Sequence, residues 1–319
     1  MTRRKNQTGP LESGLLLTLS LIMLYVSSEL LIRVSKDMAG YAGWSREAMG
    51  AVLISLSTAL PEVFTGAISS LRGVPQVGVG TLLGSTVVVT TLVPSLLVLV
   101  KGKIFTRGTL GSREALASLV STALAISLLM SGMLNRYTGV MLVFAYTGYV
   151  YVIARGEALD SLNPPVRAEK KKIAVVLTIL AVSSILIYVS ASYSISASLE
   201  LASFFKIPEF LVGVLILGIG VELPEIIISL LSSAQGEKGM ALGSIVGSNT
   251  AKALLGLGLM GALGGDLILP LNLAVGLSAF FAFVSPTLLY WFMKRGGDLT
   301  ALDAVPLIML YAFYVALII

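Results

Sequence analysis

The stretch STALPEVFTGAISS, residues 57–70, nearly repeats as GVELPEIIISLLSS, residues 220–233. Each copy places a proline and a glutamate in the middle of a run that is apolar enough to lie inside a membrane. At that depth a carboxylate costs several kcal/mol, and a proline removes a helical hydrogen bond. A costly pattern that occurs twice in one chain predicts an ion site, because ionisable groups inside membranes mark ion paths.

The rest of the chain has the composition of an integral membrane protein. Of its 319 residues 56% are hydrophobic and 12% are charged, and the mean hydropathy is +0.93. Continuous apolar runs of about 20 residues, the length of a membrane-spanning helix, recur from end to end. We therefore predict an all-α, polytopic membrane protein with ten transmembrane helices at about 13–34, 46–71, 76–100, 113–133, 137–155, 173–195, 208–233, 239–264, 269–293 and 300–319.

Several kinds of chemistry are excluded by residue type. The chain has no cysteine and no histidine, so it has no disulfide, no thiolate metal site and no imidazole proton relay. No nucleophile–base set and no cofactor motif is present, so we expect neither an enzyme nor a bound cofactor. Proton or cation chemistry is then left to carboxylates and lysine.

The basic residues predict how the chain is oriented. In the ten-span arrangement fifteen lysines and arginines lie on one side and six on the other. Because the richer side faces the cytoplasm, both termini are predicted to be extracellular in the plasma membrane. The net charge of +5 is explained by this distribution, and no nucleic-acid partner is expected.

An internal duplication explains why the motif occurs twice. With a shift of 163 residues and no gap, Leu60-Pro61-Glu62 meets Leu223-Pro224-Glu225, and Gly84-Ser85 meets Gly247-Ser248. We predict a first five-helix repeat at 1–155, a cytoplasmic linker at 156–172 and a second repeat at 173–319. Because five is odd, the second repeat is inverted, as in many secondary transporters. The two prolines predict that helices two and seven are broken near 58–62 and 221–225.

At these residues the chain resembles the Ca²⁺/cation antiporter superfamily, most closely the prokaryotic sodium/calcium exchangers. The resemblance is sharpest at 50–92 and 213–255 and implies two inverted halves with cation sites at the membrane centre. It also implies a set of metal ligands: the carboxylates of Glu62 and Glu225, the backbone carbonyls of Thr58 and Val221, and the hydroxyls of Ser85 and Ser248.

The chain departs from that family pattern at positions that bear on charge. Ala59, Val221 and Glu222 replace small polar residues of the two motifs, and Val89 and Lys252 replace the polar residue expected four after each Gly-Ser serine. We predict that Glu222 joins the site and forms an ion pair with Lys252, which would modulate it, because a lone ammonium at mid-membrane is costly. With Glu62 and Glu225 left free, the site would carry a formal charge of −2.

These features predict a secondary antiporter that exchanges Ca²⁺ against Na⁺ or H⁺ by alternating access. One alternative is a monovalent cation/proton antiporter that uses the lysine–carboxylate pair, and another is a non-transporting relative in which the pair locks the two halves together. The expected partners are inorganic cations and the lipid bilayer, with a monomer as the transport unit.

The orientation can be tested because the chain has no cysteine of its own. Ser161→Cys lies in the predicted cytoplasmic linker and should resist an impermeant thiol reagent added to intact cells. Lys206→Cys, on the predicted outer side, is the positive control and should react. Ready labelling at position 161 from outside would contradict the charge argument.

Overall fold

The computed structural model describes residues 9–41, 46–105, 112–158, 170–223, 245–267, 272–296 and 298–319, together with 226 and 230. This part of the chain is mostly helical. The helices are α1 (Pro10–Tyr41), α2 (Arg46–Leu71), α3 (Pro75–Lys101), α4 (Ser112–Met130), α5 (Arg136–Ala158), α6 (Lys170–Phe205), α7 (Glu209–Gly220), α8 (245–264), α9 (Leu273–Gly296) and α10 (Ala301–Ile318).

Five helical segments of the described residues are long and apolar enough to cross a membrane. They are Pro10–Leu30, Pro75–Lys101, Val175–Phe205, Leu273–Arg295 and Ala301–Ile318. Two shorter apolar helices, Leu116–Met130 and Glu209–Gly220, accompany them. The prediction of a polytopic helical membrane protein is therefore confirmed at this level. The predicted linker is helical at both ends, since α5 continues to Ala158 and α6 begins at Lys170.

One small sheet departs from the all-helical prediction. Strand β1 (Lys103–Phe105) follows α3, strand β2 (Asp298–Thr300) follows α9, and they pair antiparallel with Ile104 opposite Leu299. Gly102, at φ 77°, ends α3 in a left-handed conformation that favours glycine. Thr300 and Asp303 start α10 with reciprocal capping bonds. The sheet therefore ties the end of α3 to the end of α9.

Helix α3 lies at the centre of the molecule. It packs against α2, α7, α9 and α10, and its residues from Val77 to Thr91 are all buried. By contrast α1 and α6 pack along each other and leave many apolar side chains exposed, among them Leu15, Ile22 and Ile185. Such exposure is expected where a helix faces lipid instead of protein.

Close backbone contact between α3 and α7 depends on glycine. A Cβ on Gly80 would lie 2.4 Å from the carbonyl oxygen of Phe210, and a Cβ on Gly213 would lie 2.3 Å from that of Val77. Both distances are well inside van der Waals contact with backbone atoms that cannot move independently. Small residues at such crossings let two membrane helices approach closely.

The two proline–glutamate motifs differ in backbone structure. The predicted break in helix two is wrong, because α2 runs from Arg46 to Leu71 with Pro61 inside it. A single proline removes one backbone hydrogen bond, and neighbouring helices can hold a membrane helix together around that gap. The described part of the second motif agrees with the prediction, since α7 ends at Gly220 and Val221 and Glu222 form a turn.

The α3–α7 contact generates a stability prediction. Gly80→Ala should destabilise the protein by about 1–3 kcal/mol, because the added methyl group forces the two backbones apart. Thermal unfolding of the purified protein in detergent measures this effect. Gly148→Ala on α5 is the matched control, because nothing lies within 4 Å of the Cβ it would add. Equal unfolding temperatures for the two variants would contradict the proposed contact.

Candidate functional site

Three ionisable side chains meet where α2, the end of α7 and α8 come together. Glu62 lies on α2, Glu222 lies in the turn that follows α7, and Lys252 lies on α8. The side chains of the two glutamates are 0% exposed and that of the lysine is 1% exposed. Full burial of three charge-bearing groups in a helical membrane protein is costly unless they compensate one another.

The lysine ammonium lies between the two carboxylates. Lys252 Nζ donates a hydrogen bond to Glu222 Oε1, so the predicted ion pair is present. The same Nζ lies 3.7 Å from Glu62 Oε1. The expectation that Glu62 stays free of the pair is therefore wrong. One buried ammonium serves two carboxylates, one from each half of the chain.

Glu222 has a second carboxylate oxygen that its hydrogen bond with Lys252 does not use. Oε2 of Glu222 is buried and has no donor among the described residues. A buried acceptor without a donor carries a desolvation cost of about 1–3 kcal/mol. An oxygen of this kind can serve as a ligand for a hard cation.

The backbone around the cluster is irregular. A π-helical turn, Val212–Leu217, precedes the turn that holds Glu222, and a second one, Ala251–Gly256, carries Lys252. Turns of this type are rare and are frequently found at functional sites. Helix α2 packs against the second π-helical turn, which places Glu62 beside Lys252.

The two serines of the predicted ligand set occupy equivalent positions. Ser85 Oγ donates to the carbonyl of Leu82, at 3.3 Å, and Ser248 Oγ donates to the carbonyl of Ile245, at 3.2 Å. Both side chains are 0% exposed. The same bond to the third residue back occurs in both copies of the Gly-Ser motif, and it leaves the lone pairs of each hydroxyl oxygen as acceptors.

Of the other predicted ligands, the structure describes Val221 fully and Thr58 and Glu225 only in part or not at all. Val221 is buried in the turn after α7, directly before Glu222. The side chain of Thr58 and the whole of Glu225 lie outside the described residues, and so does the predicted approach of Glu62 to Glu225. Among the residues that the structure describes, no group of three or more acidic side chains is placed to hold a metal ion.

Sequence reasoning missed one residue that belongs beside this cluster. Asn249 is 1% exposed and lines a cavity together with Lys252, Thr86 and Thr122. The 163-residue shift already contained the signal, because it aligns Asn249 with Thr86, and each of them directly follows a Gly-Ser pair.

Comparisons with known proteins agree with this fold. The family model described as sodium/calcium exchanger protein matches residues 12–155 and 175–319. The inner membrane protein YrbG of Escherichia coli is 28% identical over 253 residues, which cover 76% of this chain and 78% of YrbG.

Two solved structures share the fold. The sodium–calcium exchanger NCX_Mj superposes with a TM-score of 0.63 at 23% identity, covering 97% of this chain and 99% of that chain. The H⁺/Ca²⁺ exchanger CAX superposes with a TM-score of 0.77 at 15% identity, covering 98% and 82%. The matched family consists of transporters, which confirms that the protein is not an enzyme. The chain belongs to the sodium/calcium exchanger protein family.

Proposed function

We propose that the protein is a secondary antiporter that exchanges Ca²⁺ against a monovalent cation, Na⁺ or H⁺, by alternating access. The observation that carries this proposal is the buried ammonium of Lys252 between the carboxylates of Glu62 and Glu222. Two solved structures with this fold also support the proposal, because one is named as a sodium–calcium exchanger and the other as an H⁺/Ca²⁺ exchanger.

The charge of the cluster suits a cation substrate. Two carboxylates and one ammonium give a formal charge of −1, and Glu225, if it joins them as the motif predicts, makes the charge −2. The ammonium then acts as an internal cation that keeps the carboxylates compensated when no ion is bound. A Ca²⁺ ion that takes its place would meet the oxygen ligands that hard cations prefer.

The proposed ligand set follows the sequence motif. Glu62 and Glu222 supply carboxylates, with Glu225 as a third, and Ser85 and Ser248 supply hydroxyl oxygens. The backbone carbonyls of Thr58 and Val221 complete the set. Lys252 modulates the site by competing with the substrate for Glu62 and Glu222. A site that consisted only of cation ligands, without a lysine, would have no such competition.

We further propose that α1–α10 each cross the membrane as two inverted five-helix repeats. Two contacts support this arrangement. The β1–β2 pairing joins the ends of α3 and α9, which both lie on the predicted cytoplasmic side. Arg72, after α2, donates to the carbonyl of Ser192 and the hydroxyl of Ser196, toward the end of α6, which is predicted to lie on the outer side with it.

The ion pair should respond to substitution as a charge-compensating unit. Lys252→Met leaves two buried carboxylates uncompensated and should destabilise the protein by about 3–5 kcal/mol in the absence of Ca²⁺. Adding Glu222→Gln should recover part of that loss, with a coupling of roughly 0.5–3 kcal/mol in the double-mutant cycle. Thermal unfolding in detergent, with and without Ca²⁺, measures both effects.

Added Ca²⁺ should restore much of the stability of Lys252→Met, because a ligand that binds the folded state stabilises it. A purely structural salt bridge would give the same coupling without any rescue by Ca²⁺. Strictly additive effects of the two substitutions would contradict the pairing itself.

Transport is tested by ⁴⁵Ca²⁺ flux into proteoliposomes under an imposed Na⁺ or proton gradient. The wild-type protein should accumulate ⁴⁵Ca²⁺ with one of these gradients, which identifies the coupling ion. Glu62→Gln should reduce the flux to the level of protein-free liposomes, because it removes a central carboxylate. The matched control is Glu209→Gln at the exposed start of α7, which should transport at the wild-type rate. Wild-type protein that moves no ⁴⁵Ca²⁺ under either gradient would contradict the proposal.

A further inference from the structure

A cavity beside the ion pair is lined by polar side chains from three helices. Thr86 of α3, Thr122 of α4, and Asn249 and Lys252 of α8 all face it, together with apolar residues such as Leu83 and Leu257. Asn249 and Lys252 are three residues apart on α8, so they lie on the same side of the helix. The side chain of Lys252 therefore borders both the carboxylates and this cavity.

The amide nitrogen of Asn249 faces two hydroxyl groups of α4. Its Nδ2 donates to Ser118 Oγ and to Thr122 Oγ1, both at 3.2 Å. The Thr122 hydroxyl donates its own hydrogen to the carbonyl of Ser118, at 2.8 Å, so its oxygen is an acceptor for Asn249. The reversed amide would place its oxygen against a hydroxyl whose hydrogen is already used.

In this orientation the amide oxygen has no hydrogen-bond donor beside it among the described residues. Asn249 Oδ1 is buried and has no hydrogen-bond partner in the described part of the chain. Buried polar atoms are almost always paired, and one that is not usually indicates a ligand, a water or a second conformation. Asn249 and Lys252 line the same cavity, and a protonated lysine carries three donors and no acceptor.

We propose that Asn249 Oδ1, with the hydroxyls of Thr86 and Thr122, forms a second binding position for the Lys252 ammonium. The ammonium moves there, still charged, when a transported cation takes its place between Glu62 and Glu222. This inference rests on the proposed function and supplies the step that function requires. A displaced ammonium that found no acceptor would be buried without compensation, and this cost would oppose cation entry. An acceptor already in place removes that cost, because the ammonium exchanges the carboxylates for new hydrogen-bond partners.

Asn249 is then a positioning residue that acts on the cation only through Lys252. Its effect on cation binding must disappear when the lysine is absent. A residue that coordinated the cation directly, or one that only supported the packing of α8 on α4, would have the same effect with or without the lysine.

The experiment measures Ca²⁺ and Na⁺ affinity by isothermal titration calorimetry on the full-length protein in detergent. Asn249→Leu should weaken binding about tenfold or more, because the displaced ammonium loses its acceptor. Asn249→Asp should strengthen binding by a similar factor, because the new carboxylate draws the ammonium away from Glu62 and Glu222. This gain cannot be produced by misfolding. Ser285→Ala, a buried hydroxyl on α9 outside the cavity lining, is the matched control and should bind as the wild type does.

Both Asn249 substitutions are then repeated with Lys252→Met. Without the lysine, Asn249→Leu should cause little loss of cation affinity, and Asn249→Asp should cause little gain. Equal effects of Asn249 with and without Lys252 would overturn the second position while leaving the antiporter proposal intact. Absence of Ca²⁺ and Na⁺ binding in every variant, including the wild type, would overturn the proposed function and this inference with it.

Discussion

The ammonium of Lys252, buried between the carboxylates of Glu62 and Glu222, constrains the rest of the molecule. None of these groups can be buried alone without a large desolvation cost, so α2, the end of α7 and α8 have to meet at one point. The close contact of α7 with the central helix α3 makes that meeting possible, and it depends on Gly80 and Gly213. Packing and electrostatics are therefore coupled: a helix shift that separates one glutamate from the lysine leaves an uncompensated charge in the interior.

The residues that form the ion pair have no charged counterparts under the 163-residue shift of the sequence. Under the 163-residue shift Glu222 corresponds to Ala59 and Lys252 corresponds to Val89, and both of these apolar residues are fully buried. The two copies of the sequence motif therefore differ in charge at these two positions. Glu62 is the contribution of the first half, and the lysine that contacts it comes from the second. A cation that displaced the ammonium would break the contact between Lys252 and Glu62, which come from different halves of the chain. In alternating access, contacts between the halves of a transporter break and form again.

Much of this description could be predicted from the sequence. Hydropathy located where the described helices lie, although α1 and α6 continue to Tyr41 and Phe205, beyond the predicted ends at 34 and 195. The spacing of Glu222 and Lys252 near the motif indicated their ion pair. Three features could not be predicted, because they depend on neighbours distant in the chain. Pro61 breaks a helix by local rules, yet α2 continues through it. The contact between Lys252 and Glu62 depends on how α2 packs on α8, and the orphaned oxygen of Asn249 depends on hydroxyls of α4. Thr58 and Glu225 stay predictions from the motif.

In the proposed mechanism a transported cation replaces the lysine ammonium between the two carboxylates. A crystal structure of the protein soaked in Sr²⁺, an anomalous scatterer that can stand in for Ca²⁺, tests this most directly. We expect an anomalous peak bounded by oxygens of Glu62 and Glu222, with Lys252 Nζ withdrawn from both. A lysine that keeps its contacts with the carboxylates, with Sr²⁺ bound elsewhere or not at all, would contradict it.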